Sequence, residues 1–435
     1  MSEDAIQTAQ VENWLVDYYS NQPTVGLDKE LGQLHFDNLK TTDEVRNYWG
    51  HLTVNTRNAV AAAAKAKNPM RIVQLTGMSL HAVQDFYTHS NWVEVQRPAV
   101  NLANYSTRTW FDATPGRLVT TLRTGTYPPA NPASIQPTEH GNYDLGMNHD
   151  SYVRPRFDEA YVYGYCGSRQ WVAAIKSWVD AVDPRVWPTV QTLALSSTNR
   201  TTLQKDLQAA YRISEWIAAS GNDGHWKGKG SGSGADFVKF AAVWASGGDS
   251  IFVDSIKKDN VHRDLTAGLT TSALVVAPPA VPASPRFNKQ AVRVKTMEVE
   301  EQLSRKSVNG SSKPNYFAKI TIGGQEFIET MQSKRDSIRA FRDIPVWYTI
   351  KFINAADAST NIHYELFSEN GKDDTMCDIN PKAMKQSLDF ALTGRAVGGD
   401  AGNADRGSLL NFIGAAPDKF PARVRIAFDS LPLEP

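Results

Sequence analysis

Hydrophobic and polar positions follow two different periods along this chain of 435 residues. Up to about residue 275 the pattern is helical, with a strong helix-forming run at 58–67 (NAVAAAAKAK) and a long helical segment at 158–182. After the Pro-rich stretch APPAVPASP at 277–285, short alternating runs rich in Val, Ile, Tyr and Phe are typical of β-strands. These runs occupy 290–300, 316–329, 346–355, 362–369 and 422–431. We therefore predict a multidomain fold, with an all-α domain over 1–276, a linker over 277–286 and an antiparallel β-sandwich over 287–435.

Composition narrows the classes of ligand and the compartment. Lys plus Arg and Asp plus Glu number 46 each and no basic run stands out, so we expect no nucleic acid partner. The two cysteines, Cys166 and Cys377, are far apart in sequence and do not resemble a disulfide framework. The N-terminal residues lack the basic start and apolar stretch of a signal peptide, and no long uncharged apolar run follows. We expect either a cytoplasmic protein or one secreted by a route that does not use a signal peptide.

Three metal-competent side chains recur at helical spacing in the stretch HAVQDFYTHSNW at 81–92. His81, Asp85 and His89 are four residues apart, so they project along one stripe of a helix whose preceding residues are largely apolar. Burying a carboxylate without a charged partner costs several kcal/mol, and a divalent cation among the three groups removes that cost. Imidazole and carboxylate at this spacing are ligands that zinc accepts. The alternative is that core hydrogen bonds satisfy each group separately.

More candidate ligands lie on both sides of that helix. They are, in chain order, His35, Asp37, His140, Asn148, His149 and Asp150. His35 and Asp37 are two residues apart in QLHFDNL, while the others lie in a Pro- and Asn-rich region over 94–155. Loops of this length inside a compact domain are usually functional. Asp158 and Glu159, at the head of the next predicted helix, either bind metal or interact favourably with the helix dipole.

Three sequence blocks carry a family resemblance. HFDN, LHAVQDFYTHSNWVE and HG…GMNHDS…RPRFDEA resemble the bacterial zinc-dependent phospholipases C of the Pseudomonas and Legionella group, which are similar to fungal heterokaryon-incompatibility C (HET-C) proteins. The resemblance covers most of residues 25–245. It implies an all-helical catalytic domain that holds two or three zinc ions. The more distant trinuclear zinc phospholipases C and single-strand nucleases use an H-x3-D-x5-H helix, whereas the second interval here is x3.

The resemblance also implies roles for individual residues. The metal ligands that it implies are His35, Asp37, His81, Asp85, His89, His140 and Asp150. Asp85 is expected to bridge two ions, and Asp37 either binds metal or orients the attacking water. A third ion would use Asp158, His149 or no further residue, because Arg156 stands where related sequences often carry a histidine.

Zinc chemistry meets the needs of phosphodiester cleavage. A zinc-bound water, whose pKa falls to roughly 7, supplies a nucleophile at neutral pH, and neighbouring ions neutralise the phosphate. The sequence contains neither a G-x-S-x-G elbow nor a convincing P-loop. We therefore predict a zinc-dependent phospholipase C that hydrolyses phosphatidylcholine-like lipids to diacylglycerol and a phosphorylated headgroup. The alternatives are a zinc-dependent nuclease or nucleotidase of the related fold, and a non-enzymatic membrane-active incompatibility-type protein whose metal site is structural.

Aromatic residues near the candidate ligands extend the lipid hypothesis. Tyr87, Trp92, Tyr143 and Tyr152 either form an aromatic wall for a choline ammonium group, held by cation–π attraction, or belong to the ordinary core and rim. A neutral protein with aromatic-rich loops suits a zwitterionic lipid better than a polyanion.

The C-terminal domain carries an acidic loop, NGKDDTMCDINP at 370–381. Asp373, Asp374 and Asp378 in this loop either bind calcium or are simply solvated. If the substrate is a lipid, a β-sandwich of this kind has a role at the bilayer. We expect it to be a lipid-binding, PLAT-like domain that docks on the membrane surface.

Overall fold

Helices occupy the first part of the chain and strands the second. In the computed structural model one compact unit comprises Met1–Ala103 and Thr107–Pro285, and another spans Arg286–Pro435. The structure describes residues 1–20, 27–96, 109–112, 121–127, 136–140, 147–150, 156–207, 255–256, 258–270, 279–281, 289–301, 315–330, 337–339, 346–354, 356–369, 374–382, 385–393, 396–416 and 420–432. The predicted combination of an N-terminal helical region with a C-terminal antiparallel β region is confirmed. Of the predicted linker, only 279–281 lie in the described residues.

The helices that position the candidate site comprise four long ones and four short ones. They are α1 (Glu3–Ser20), α2 (Asp28–Leu31), α3 (Thr42–Lys65), α4 (Pro69–His89), α5 (Trp92–Gln96), α6 (Phe157–Asp180), α7 (Val186–Gln191) and α8 (Val261–Thr266), with 3₁₀ turns at Gly32–His35 and Trp110–Asp112. Within the described ranges no helix is both long and apolar enough to cross a membrane.

The central helix of the first unit is α4. Asn68 caps its N-terminus with a side-chain oxygen, and Pro69 takes the first helical position, where its missing N–H costs nothing. The helix is buried over most of its surface and packs against α1, α3 and α6. Gly77 permits the close approach of α1, because a Cβ there would lie 2.4 Å from the Ala9 carbonyl oxygen. The end of α4 is therefore held rigidly from several sides.

The second unit is built from antiparallel strands. They are β1 (Lys289–Glu301), β2 (Asn315–Ile322), β3 (Gln325–Thr330), β4 (Ser337–Arg339), β5 (Trp347–Asn354), β6 (Ser359–Glu369), β7 (Asp374–Met376), β8 (Leu388–Thr393), β9 (Ala396–Gly399), β10 (Ala404–Asp405), β11 (Leu409–Ile413) and β12 (Ala422–Pro432). One sheet has the order β11-β12-β1-β4, with β5 also paired to β1. The other has the order β10-β9-β8-β6-β2-β3, with β7 also paired to β6. The five alternating runs correspond to β1, the β2–β3 hairpin, β5, β6 and β12.

The two sheets share one hydrophobic core. Alternate residues of strands from both sheets, such as Val294 of β1 and Leu366 of β6, are buried in it. The Thr296 and Tyr364 hydroxyls form a hydrogen bond of 2.9 Å within this core. The arrangement is therefore that of a β-sandwich.

Candidate metal centre

A first cluster joins the 3₁₀ turn of residues 32–35 to helices α1 and α4. Asp85 Oδ2 lies 3.0 Å from His35 Nδ1 and 3.1 Å from His81 Nε2. The two ring nitrogens are 3.2 Å apart. Asp17 of α1 adds a carboxylate oxygen 3.8 Å from His35 Nδ1 and 3.7 Å from His81 Nε2. Four side chains with ligand atoms therefore converge from three elements.

A second cluster surrounds His89 at the last turn of α4. Its Nε2 lies 2.9 Å from Asp150 Oδ2 and 3.1 Å from His140 Nε2. Its Nδ1 lies 3.3 Å from Asp37 Oδ1 and 3.8 Å from Asp85 Oδ2. Because Asp85 contacts both clusters, it lies between them, where the sequence predicted a bridging carboxylate.

Backbone hydrogen bonds tie the loop residues of the second cluster to α4. The Gly125 N–H donates to the His89 carbonyl at 2.8 Å. A Cβ at Gly125 would lie 2.6 Å from His140 Cα, so a glycine lets these two segments meet. The His149 N–H donates to the Thr88 carbonyl at 2.8 Å, which places the next residue against the helix end. The second cluster thus depends on tertiary contacts between α4 and distant loops.

The donor set fits a divalent metal ion. Three groups have ligand atoms within 4.8 Å of one another: Asp17, His35 and His81; Asp37, His89 and His140; and Asp85, His89 and Asp150. Two nitrogens on one tetrahedral zinc lie roughly 3.3 Å apart, since each Zn–N bond is about 2.0 Å. Either a shared ion or an N–H···N hydrogen bond brings imidazole nitrogens this close, and the carboxylates at the same points favour the ion. Asp37 Oδ1 is buried and accepts no hydrogen bond from the described residues, which is costly unless a cation or a donor meets it.

In both clusters, buried imidazoles lie close to carboxylates and shift the pKa values of one another. Burial lowers the pKa of His81, but Asp85 and Asp17 outweigh it and raise that pKa to about 9. Burial raises the pKa of Asp85, but the charges of His81 and His89 outweigh it and hold that pKa well below its usual range. The pKa of Asp150 is likewise held low, against burial, by His89. Asp85 and Asp150 are therefore ionised, and they attract protons or metal cations to the neighbouring imidazoles.

The structure brings together seven of the eight residues predicted as ligands. They are His35, Asp37, His81, Asp85, His89, His140 and Asp150. The eighth, Asp158, lies at the start of α6, and its side chain is outside the described part of the chain. His149 lies instead 3.4 Å from Glu94, a carboxylate that Arg156 also approaches at 3.4 Å.

Sequence reasoning missed Asp17 and left the position of two aromatic residues open. Nothing in the spacing of α1 distinguishes Asp17 from a solvated helical aspartate. Tyr87 and Trp92 are buried in the core, and the Tyr87 hydroxyl accepts a hydrogen bond from the Trp110 backbone N–H at 3.1 Å, so the structure supports the core alternative for both. The other two aromatic candidates, at 143 and 152, lie outside the described residues. Tyr127 is 52% exposed and its ring centroid lies 5.3 Å from that of His140.

In the acidic loop of the second unit, Asp378 does not have the arrangement of a calcium ligand. Asp378 is fully buried, and its oxygens accept hydrogen bonds from the backbone N–H groups of Asn380 at 3.1 Å and Ala416 at 2.7 Å. Asp373 and the side chain of Asp374 lie outside the described residues. Asp378 is therefore a structural residue of the loop.

Comparison with known families and curated proteins gives one partial match. Residues 4–108 match the family model described as the VWA7 N-terminal domain. The matched range contains helices α2 to α5, including His35 and His81, and ends before His140 and Asp150. Among curated proteins, none matches the chain significantly.

Several solved structures share distant similarity with the chain. Human GIVD cytosolic phospholipase A2 matches with a TM-score of 0.23 and 9% identity, over 34% of this chain and 17% of that one. A C2 domain matches with a TM-score of 0.20 and 8% identity, over 32% of this chain and 98% of that one. A C2 domain of plant extended synaptotagmin 1 gives a TM-score of 0.22 and 13% identity, over 34% and 98% of the two chains. This chain thus covers less than a fifth of the phospholipase, and TM-scores this low establish neither fold nor activity.

Proposed function

We propose that this protein is a zinc-dependent phospholipase C that cleaves phosphatidylcholine-like phospholipids into diacylglycerol and a phosphorylated headgroup. The observation that carries the proposal is the convergence of histidines and aspartates in two adjoining clusters at the end of α4, with Asp85 between them. Buried polar groups are usually satisfied by hydrogen bonds, but here the buried Asp37 Oδ1 has no donor among the described residues.

The two clusters divide the metal ligands between them. His35, His81 and Asp85 would hold one ion, with Asp17 within reach, and the second would be held at His89. Bound zinc supplies a water of lowered pKa and positive charge for the phosphate oxygens. The negative charge of Asp85 offsets the repulsion between two neighbouring dications, because its carboxylate lies 3.1 Å from His81 Nε2 and 3.8 Å from His89 Nδ1.

The exposed edge of the centre supports a zwitterionic substrate. Asp17 and Asp150 are about half exposed, whereas the ligand histidines of α4 are buried, so a substrate approaches from the side of these two carboxylates. Aspartates at the entrance attract an ammonium headgroup and repel a polyanion. Tyr127, exposed beside His140, is placed to contact such an ammonium group with its ring.

The second unit is proposed as the lipid-binding, PLAT-like part of the protein. Large apolar side chains are exposed on it, among them Ile328 of β3, Leu409 and Ile413 of β11, and Phe420. Leu409 and Ile413 lie on one edge strand and on the same face of it, and a bilayer surface would cover such side chains. A calcium site in the loop at 370–381 would use Asp373 or Asp374, since the Asp378 oxygens accept hydrogen bonds from backbone donors.

The test combines metal analysis with a lipid assay. Protein purified without chelator is expected to contain two or three zinc ions per chain and to release diacylglycerol from phosphatidylcholine vesicles. Removal of the metal should abolish the release, and added zinc should restore it. Less than one zinc per chain would contradict the multinuclear centre. Cleavage of single-stranded nucleic acid without lipid hydrolysis would favour the nuclease alternative, and metal binding without turnover of any phosphodiester would favour the non-enzymatic one.

A further inference from the structure

The two ring nitrogens of His89 have different surroundings. Nδ1 lies 2.9 Å from the backbone carbonyl oxygen of His35. Because a carbonyl oxygen only accepts hydrogen bonds, the hydrogen in this contact belongs to Nδ1. Nε2 lies 2.9 Å from Asp150 Oδ2 and 3.1 Å from His140 Nε2. The nitrogen without a backbone acceptor therefore faces the side chains that can share a cation with it.

A strained turn fixes the position of the acceptor carbonyl. Phe36 and Asn38 adopt left-handed backbone conformations, with φ of 56° and 67°, which are unfavourable for residues with a Cβ and most of all for a bulky one. The Phe36 ring is fully buried, with its centroid 3.9 Å from that of Tyr48 and 5.1 Å from that of Phe86. The Asn38 N–H donates to the Gly125 carbonyl at 2.9 Å. Packing and hydrogen bonding hold the turn, so the His35 carbonyl is set before any metal binds.

Asp37 lies in the same turn and brings a carboxylate to the same nitrogen. Its Oδ1 is 3.3 Å from His89 Nδ1 and is buried. The Nδ1 hydrogen is donated to the His35 carbonyl, and Asp37 Oδ1 accepts no hydrogen bond from the described residues. This carboxylate therefore acts on the ring through its charge, which stabilises the N–H and increases the basicity of Nε2. The contact therefore suits a residue that orients a ligand.

We propose that the turn over 35–38 commits His89 to bind zinc through Nε2, with His140 and Asp150 as its fellow ligands, and that Asp37 is a positioning residue for His89. The proposal rests on the metal centre of the proposed function and separates the ligands of the second ion from the groups that orient them. It differs from the grouping in which Asp37 itself binds the ion with His89 and His140. It also gives His35 two tasks, since its ring belongs to the first cluster while its carbonyl orients a ligand of the second.

Nitrogen-15 NMR of histidine-labelled protein tests the orientation directly. The signals of His89 are assigned by their loss in His89→Gln. In the metal-free protein we expect the hydrogen on Nδ1, and in protein loaded with cadmium-113 we expect scalar coupling from the metal to Nε2 of His89. Coupling to Nδ1 would overturn the proposal, whatever the catalytic activity.

Zinc affinity measured against a competing chelator tests the role of Asp37. Asp37→Asn should keep the zinc stoichiometry and weaken the second ion roughly 10- to 100-fold, which is the usual effect of losing a carboxylate that orients a ligand histidine. Asp150→Asn is the matched variant, because it removes the same charge from a proposed ligand, and it should lose the second ion. If Asp37→Asn also loses that ion outright, or if its affinity is unchanged, Asp37 is not a positioning residue.

These measurements separate the inference from the proposed function. Neither the nitrogen signals nor the zinc affinities require lipid. A protein that binds zinc through Nε2 of His89 but hydrolyses no phospholipid would uphold the inference while the proposed function fails. A protein that takes up neither zinc nor cadmium would contradict both.

Discussion

The helical unit and the β-unit each bring histidine and aspartate together, but the histidines are buried in the helical unit and exposed in the β-unit. At the end of α4, His81 and His89 are 4% exposed, and the carboxylates of Asp85 and Asp150 contact their ring nitrogens. In the β-unit, the His363 side chain is 38% exposed and pairs with Asp389 at 2.7 Å. The first arrangement holds charges away from water, whereas the second leaves them in it.

Buried carboxylates of the two units differ in the donors that meet them. Asp378 and Asp85 are both buried, but backbone N–H groups satisfy the two oxygens of Asp378. Backbone donors cannot be exchanged for a cation without breaking the loop. Asp85 meets imidazoles instead, and an imidazole that releases its proton becomes a metal ligand. The kind of partner, more than burial or the number of acidic residues, therefore distinguishes a metal centre from a structural aspartate.

The largest expected effect comes from Asp85→Asn. The substitution keeps the shape of the side chain but removes the charge that lies between the two clusters, so zinc content should fall by at least one ion and lipid hydrolysis should be abolished. Far-UV circular dichroism should be largely retained, because the helices have their own apolar core. Full activity with unchanged zinc content would show that Asp85 only orients a ligand histidine.

Asp112→Asn is the matched control for that substitution. Asp112 is a carboxylate of the same unit that accepts hydrogen bonds from Thr109 and Gln170, both neutral. Its replacement should leave the zinc content unchanged. Loss of zinc in this variant would mean that the metal content reports general damage to the helical unit.

Glu12 of α1 is a buried carboxylate that meets a hydroxyl donor in place of a histidine. Burial raises its pKa to about 8, although the Ser255 hydroxyl donates to it at 2.7 Å. In the unfolded chain this group titrates near 4.5. Between these values the folded protein keeps a proton that the unfolded chain releases, so stability falls as pH rises from about 4.5 to about 8.

Glu12→Gln should remove that loss of stability. The amide keeps the shape of the protonated acid, so the variant should gain on the order of 2–4 kcal/mol over the natural chain between pH 5 and pH 8. Urea unfolding of both chains at the two pH values measures the difference. An equal effect of the substitution at both pH values would mean that Glu12 is ionised in the fold.

Asp378→Ala should destabilise the β-unit and leave the metal centre intact. The substitution leaves two backbone N–H groups in a buried loop without an acceptor, which costs about 1–3 kcal/mol for such groups. Urea unfolding, followed by the fluorescence of tryptophan, gives the change in stability, and metal analysis gives the zinc content. A fall in zinc content would mean that Asp378 affects the centre in the other unit.

Local periodicity was enough to predict much of the fold and one side of the site. The ligands on α4 share one helix, so their spacing alone brings them together. Alternation alone located six of the twelve described strands and missed β4 and β7 to β11, most of which are short. Asp17 could not be found in this way, because its contact with His81 depends on the packing of α1 against α4. The position of Tyr87 stayed open for a related reason, since sequence spacing does not show which face of the helix the core covers.

The smallest expected effect concerns the exposed pair of His363. Burial lowers the pKa of this histidine, but hydrogen bonds to Asp389 and Glu365 outweigh it and raise the pKa above its ordinary value of 6.5. The pair therefore stabilises the fold below about pH 6.5, and that contribution is lost as pH rises through the raised pKa. His363→Gln should cost no more than about 1 kcal/mol at pH 6 and nothing measurable at pH 9, because solvent screens an exposed pair. High salt at pH 6 should reduce the difference in urea unfolding further. A cost of several kcal/mol, or any loss of zinc, would contradict the distinction between the buried histidine–aspartate contacts of α4 and the exposed pair of His363.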